Sequence, residues 1–324
     1  MRVKTRGGAA VTADSVVMAT NSPVWDWYGL YSIQSPYRTY VIGARIPVGS
    51  VAPALYWDTS DPYHYVRLQH DILIVGGEDH KTGQADDFGA RFTRLEAWTR
   101  ERFPMAQAIE FRWSGQVLEP VDGIAFIGHA PLSPANLYVA TGASGNGMTH
   151  GAIAGLLLTD LICGRRNEWS GLYDPSRITA RALPAYAGEY INVIAQYSDW
   201  VTGADIDSRD QLAPGSGATM RDGAAKIAVY RDTNGAYHEC SAICPHLGCI
   251  VAWNDYEKSW DCPCHGSRFD PLGNVVNGPA NRNLDASGSL SPLLTAAGVG
   301  LRTIPLLGAN VLRKLLTFGI RTGL

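Results

Sequence analysis

Cys244-Pro245-His246-Leu247-Gly248-Cys249, answered by Cys262-Pro263-Cys264-His265-Gly266-Ser267, decides how the rest of this chain is read. As a ligand pattern it is C-x-H, fifteen residues, then C-x-x-H. Two thiolates and two imidazoles on two short loops suit a [2Fe–2S] cluster in which one iron takes Cys244 and Cys262 and the other takes His246 and His265. Zinc is the competing reading, because soft thiolates bind it too. A Cys2His2 zinc site groups its cysteines and then its histidines, whereas here Cys and His alternate within each loop, which divides the ligands evenly between two metals.

Both loops closely resemble those of the Rieske proteins of the cytochrome bc type, which carry C-T-H-L-G-C and C-P-C-H-G-S. The resemblance implies a disulfide between Cys249 and Cys264 that clamps the loops together; the alternative is a pair of free buried thiols. Disulfides are uncommon in the cytosol, but one closed over a metal site persists if its potential is low enough. In the family, the Ser after H-G donates to a bridging sulfide and a Tyr two positions later donates to a ligand sulfur. Ser267 matches the first; Phe269 stands at the second and has no hydroxyl. Fewer hydrogen bonds to the sulfurs predict a potential below that of the respiratory proteins, yet above an all-cysteine ferredoxin.

At 324 residues the chain has room for two domains, and its formal charge of −3 gives no argument for nucleic acid. Cys163, in an apolar helical run, and Cys240 read as buried small hydrophobes. Met1 to Arg6 leads into no apolar signal segment, and no run reaches the roughly 18 apolar residues of a membrane span, so a cytoplasmic location is the default expectation.

Residues 1–24 read as a hairpin and then a buried strand over Ser15–Thr20, ending in the loop Asn21-Ser22-Pro23. Residues 34–115 read as a separate β-rich unit, with a turn at His70-Asp71 and a helix from Phe88 to Phe103 that presents Phe92, Leu95 and Trp98 or Thr99. Leu137–Thr141 is a strand. It runs into Gly142-Ala143-Ser144-Gly145-Asn146-Gly147-Met148-Thr149 and an apolar helix from His150 to Ile162. A glycine-rich loop before a helix N-terminus is a place where backbone N–H groups can meet an anion or a carbonyl, or it can serve packing alone.

Residues 1–175 resemble the C-terminal portion of the FAD-dependent amino-acid and amine oxidases of the D-amino-acid oxidase and glycine oxidase type. The matching stretches are Asp14–Asn21, Glu119–Gly128 and Tyr138–Thr149. The resemblance implies that Gly142, Gly145, Asn146, Gly147, Met148 and Thr149 lie against the pyrimidine edge of a flavin. One departure is large. The family opens with a βαβ unit carrying G-x-G-x-x-G that holds the ADP half of FAD, and these residues contain none. Either the chain is a fragment or it has lost flavin binding, which puts tight FAD binding in doubt.

On the substrate side, Tyr37, Arg38, Tyr40, His64 and Tyr65 are candidates; an Arg flanked by tyrosines could clamp a carboxylate, or the group could be a solvated sheet face over an aromatic core. His150 is a candidate acid or base or a helix-terminal surface residue. Residues 176–212 read as a helical linker, and 213–290 as a small all-β sandwich carrying the cluster loops, with a hairpin turn at Thr233-Asn234-Gly235. The resemblance to the Rieske proteins implies that Asn277-Gly278-Pro279-Ala280 is a loop covering the cluster. The apolar, basic tail 291–324 could touch a membrane surface or be an appendage.

The expected fold is therefore multidomain α+β: a partial FAD-dependent oxidoreductase α/β domain at 1–175, then the linker, then the Rieske sandwich. The expected function is a [2Fe–2S] oxidoreductase passing electrons between a flavin-dependent unit and an acceptor, with an amine substrate or a protein as the electron partner. His246 and His265 are expected to form the exposed edge for electron exit. The alternative is an electron-transfer protein whose flavoprotein scaffold no longer holds FAD. A Rieske oxygenase ranks last, because little chain follows residue 290 to hold a mononuclear iron.

Overall fold

The computed structural model describes residues 1–287 apart from Arg6, Trp27, Ile178 and Ala224, so the tail at 291–324 lies outside the described residues. The chain opens with the hairpin β1 (Arg2–Lys4) and β2 (Ala10–Thr12), then β3 (Val16–Met18). A 3-10 turn at Leu30–Ser32 leads to β4 (Gln34–Arg45). There follow β5 (Leu55–Trp57), β6 (Tyr65–Gln69), β7 (Ile72–Lys81), α1 (Phe88–Arg102) and β8 (Ile109–Pro120). These strands form an antiparallel sheet in the order β5-β6-β7-β4-β8. His70 takes the left-handed conformation, φ 57°, that the tight β6–β7 turn demands. α1 seats Phe88, Phe92 and Leu95 on Tyr40, Ile42, Leu73 and Val75, the apolar spacing that its sequence displays.

Next come β9 (Phe126–His129), β10 (Leu137–Thr141) and α2 (Gly147–Ile162). β10 lies between β3, parallel, and β9, antiparallel. Strand β10 followed by a glycine turn and α2 is half of a doubly wound unit, and ligands gather at the carboxyl ends of such strands. β3 was expected to be buried. Instead it is an edge strand with Val17 42% exposed. The expected burial of Cys163 also fails: it caps α2 at the surface, because Leu156 and Ile162 leave an open apolar side on that helix.

A short α3 (Ser170–Tyr173) precedes α4 (Leu183–Gln196), whose Val193 packs with Tyr197 and Trp200 against the core of the last domain, while Ile194 is exposed. That domain has two antiparallel sheets. One is β11 (Ser216–Asp222), β12 (Ala225–Arg231) and β13 (Tyr237–Ser241). The other is β14 (Ala252–Asn254), β15 (Ser259–Asp261), β16 (Arg268–Phe269) and β17 (Val275–Asn277). Ala228, Cys240, Ile250, Trp260, Phe269 and Leu284 fill its core. Among the described residues, no helix is long and apolar enough to cross a membrane.

Candidate metal centre and adjoining cavity

The two cluster loops are built alike. In the first, between β13 and β14, Cys244 N donates to Cys249 O (2.8 Å) and Gly248 N to Cys244 O (2.9 Å). In the second, between β15 and β16, Cys262 N donates to Ser267 O (2.8 Å) and Gly266 N to Cys262 O (3.0 Å). Each loop thus closes on its first cysteine and turns at a left-handed glycine, φ 83° at Gly248 and 73° at Gly266.

Cys244 and Cys262 are free thiols, almost wholly buried. Cys249 and Cys264 are joined by a disulfide, Cα–Cα 6.4 Å. The sulfurs of Cys249, Cys262 and Cys264 crowd within 4.8 Å of one another, but the disulfide removes two of them as metal ligands. His246 Nδ1 and His265 Nδ1 are buried without a hydrogen-bond partner. Two thiols and two unclaimed imidazole lone pairs are the donor set that a mixed-ligand [2Fe–2S] cluster needs, so the residues fit that group. Burial drives His246 down to about 4 and His265 well below the usual imidazole range, which keeps both rings neutral, as ligation requires. Burial raises thiols as well, yet Cys244 sits below its usual range: Cys262, the backbone N–H groups of His246 and Leu247 and the Ser267 hydroxyl all favour its thiolate. Ser267 Oγ also accepts from Ala280 N at 2.9 Å, which fastens the 277–280 loop over the site.

Residues outside the loops hold them. Tyr197 Oη donates to Leu247 O (2.7 Å) and Trp200 Nε1 to Gly248 O (2.8 Å). Gln84 Nε2 donates to Pro263 O (2.8 Å) and Gln116 Nε2 to Gly266 O (3.0 Å). The exposed histidine edge expected from the sequence is not there. His265 is 5% exposed, His246 is half-buried, and the Tyr31 ring stands edge-on to both.

At the other end of the first domain, the loop after β10 turns through left-handed residues, Gly142 (φ 69°), Ser144 (49°) and Gly145 (71°). A Cβ at Gly142 would lie 2.7 Å from Pro120 Cγ, so only glycine fits. No side chain caps α2, which leaves the backbone N–H groups of its first turn open to an acceptor such as a flavin carbonyl. Gly147, Met148 and Thr149 form that turn, and Met148 is 92% exposed.

Residues 1–161 match the FAD dependent oxidoreductase family (DAO), and residues 203–295 match the Rieske [2Fe-2S] domain. The chain is a DAO-type oxidoreductase domain joined to a Rieske domain. YhfW of Bacillus subtilis (strain 168), named for a Rieske 2Fe-2S iron–sulfur protein, has the same architecture and is 31% identical over 289 residues, 87% of this chain and 56% of YhfW. The cytochrome b6-f complex iron-sulfur subunit 1 of Nostoc sp. is 53% identical over 47 residues, 14% of this chain and 26% of that protein. Glycine oxidase from Geobacillus kaustophilus aligns over 55% of this chain and 49% of its own, with 18% identity and a TM-score of 0.44. The chain spans about half the length of YhfW and a smaller part of the cytochrome subunit.

The oxidoreductase domain carries a cavity of about 950 Å³ beside the Ser144-Gly145-Asn146 turn. Tyr37 and Tyr65, two of the five residues expected on the substrate side, line it. The other three do not. Arg38 is 3% exposed and turns away to pair with Glu257 of the Rieske domain, so no carboxylate clamp forms. Tyr40 is core, its hydroxyl 2.9 Å from His80 Nε2. His64 stacks on Trp98 and bonds Asp58 at 2.9 Å. Period-two alternation separates them: Tyr37 and Thr39 face the cavity, Arg38 and Tyr40 the opposite side. His150 does not line this cavity; its Nδ1 lies 3.0 Å from Ala143 O and braces the loop.

Sequence reading missed the acids. Asp58, Asp61, Asp79 and Glu119 all line the cavity. Asp79 Oδ1 is buried without a partner, and burial pushes the carboxyl up to about 6. Glu119 accepts from Ser144 Oγ, which couples the acid wall to the glycine loop. Glu119 lies in a stretch that already resembled the oxidases; Asp79, after two glycines at the end of a strand, carried no sequence signal of its own.

Proposed function

We propose that the oxidoreductase domain oxidises a small amine and that the Rieske domain passes the electrons to an acceptor one at a time. Bound FAD and the [2Fe–2S] cluster would supply the two-electron and one-electron chemistry. In this reading Cys244, His246, Cys262 and His265 hold the cluster, and Gly142, Gly145, Asn146, Gly147, Met148 and Thr149 meet the flavin edge. The observation that carries it is the docking of the second cluster loop on the oxidoreductase domain, through Gln84 to Pro263 and Gln116 to Gly266. A free-standing carrier would gain nothing from that contact.

The cavity favours a cation. Asp79 and Glu119 supply negative charge in a half-enclosed site, and Tyr37, Tyr63 and Tyr65 offer aromatic faces to an ammonium group. A substrate carboxylate would meet the same acids, with exposed Arg67 at the rim as the cation on offer among the described lining residues. The chain's own residues thus bind and orient an alkylamine, and Asp79, a carboxylate at neutral pH, is placed to hold its proton.

A second reading, electron transfer on a scaffold that no longer holds FAD, is favoured by the exposed apolar side chains Val17 on β3 and Leu156 and Ile162 on α2. An absorption spectrum of the purified chain, before and after dithionite and then after an alkylamine, separates the two. Flavin peaks over iron–sulfur bands, bleached by amine, support the first. Iron–sulfur bands alone support the second. A colourless protein would overturn both.

A further inference from the structure

Tyr31 lies with its ring centroid 4.5 Å from that of His246, at an interplanar angle of 87°, and 4.9 Å from that of His265, at 78°. The two imidazoles are themselves 5.0 Å apart at 88°. The three rings close on one another edge to face, the arrangement that aromatic pairs prefer. Tyr31 belongs to the oxidoreductase domain, far in sequence from either histidine, and it is not left to chance. Its 3-10 turn is pinned by Asp26, whose carboxylate accepts from Gly29 N (2.8 Å) and Tyr31 N (3.1 Å). Ser32 Oγ adds a bond to Gly29 O (2.6 Å). Gly29 has φ 88°, a conformation that disfavours a side chain.

Three residues on, Gln34 Oε1 accepts from Thr141 Oγ1 (3.2 Å), and a Cβ at Gly142 would lie 3.0 Å from the same oxygen. Residues 31–34 therefore run from the cluster histidines to the start of the proposed flavin-facing loop.

Building on the cluster reading above, we propose that Tyr31 is a shield over the histidine edge of the cluster. It closes that edge to outside electron donors and turns it toward the oxidoreductase domain of the same chain. Electrons would then enter the cluster from within the chain, one at a time: each would oxidise the reduced flavin by one electron and reduce one ferric iron to ferrous, and the cluster would hand it to the acceptor before taking the next. Tyr31 is a positioning residue here: it ligates nothing and transfers no group.

Diethyl pyrocarbonate, which acylates accessible imidazoles, tests the shield on the cluster-loaded chain, with modification at each histidine read by mass spectrometry. Exposed His70 is the internal reference. In the wild type, His265 should react at least tenfold more slowly than His70. Tyr31→Ala should bring His265 within about threefold of His70, and Tyr31→Phe, which keeps the ring, should leave it protected. Wild-type His265 reacting as fast as His70, with the iron–sulfur bands intact, overturns the shield and leaves the cluster reading standing. Should Tyr31→Ala fail to fold, Tyr31→Leu and the wild-type rate decide the matter. Absence of iron–sulfur bands in the wild type would remove the cluster reading and the shield together.

Discussion

Arg38 on β4 and Glu257 in the β14–β15 turn pair across the domain interface, guanidinium to carboxylate at 2.5 Å, with Arg38 3% exposed. Glu257 also receives Arg268 and the Ser114 hydroxyl, so one carboxylate bridges guanidinium groups from two domains, and Arg268 has a second partner in Asp261 at 2.8 Å. Removing one partner from a buried pair leaves a charge that nothing compensates. Glu257→Ala should therefore destabilise the docked chain by about 3 kcal/mol, seen as a lower Tm and faster proteolysis within residues 176–212. An unchanged Tm would mean that water already screens the pair.

Gly266→Ala should be worse than its size suggests. The residue has φ 73°, where an L side chain is strained, and its Cβ would overlap the Pro36 side chain of the oxidoreductase domain. Strain and overlap should together cost on the order of 3 kcal/mol. Gly248→Ala in the sister loop meets the same left-handed strain (φ 83°) and should also destabilise the chain. Thermal melts of both variants measure the losses.

His265→Ala and Cys244→Ser should each abolish the Rieske-type visible bands and the electron paramagnetic resonance signal of the reduced cluster. An intact cluster in His265→Ala would falsify the ligand assignment. Because metal binding is linked to folding, stripping iron should also lower the Tm, and by more in Cys249→Ser, where the loop clamp is absent.

The buried carboxyl of Asp79, raised to about 6, makes two pH statements. A group whose folded pKa is raised contributes stability that is complete below its unfolded value near 3.8 and is lost as pH climbs through 6. Asp79→Asn should accordingly make the chain more resistant to unfolding at pH 8 than the wild type. Amine binding runs the other way: it needs the carboxylate, so affinity for a simple alkylamine should fall roughly tenfold per unit as pH drops below 6, and Asp79→Asn should flatten that slope. Isothermal titration across pH 5–8 reads both, and an alkylamine bound equally by the variant would exclude Asp79.

Much of the cluster site was legible because its chemistry is local: two loops of six residues carry the donors, the glycines and the disulfide partners in fixed order. The same holds for hairpins marked by turn residues, such as Thr233-Asn234-Gly235 between β12 and β13. Tyr31 was invisible because nothing near it in sequence marks it; its role comes from a contact across more than two hundred residues. Arg38 was misread for a different reason. Its charge and its tyrosine neighbours suggested a ligand, but the alternation of a β-strand sends it to the face opposite Tyr37, where a carboxylate from the other domain was waiting. Cys163 and Val17 were judged from local apolarity alone, and only the packing around α2 and β3 shows that those sides stay open.

The four carbonyls of the cluster loops are gripped from two directions, by Tyr197 and Trp200 on one side and by Gln84 and Gln116 on the other. A redox head held this way cannot ferry charge by swinging on a tether. It behaves as soldered wiring: its throughput is fixed by geometry set once at folding, and linker length, viscosity and crowding have no purchase on it.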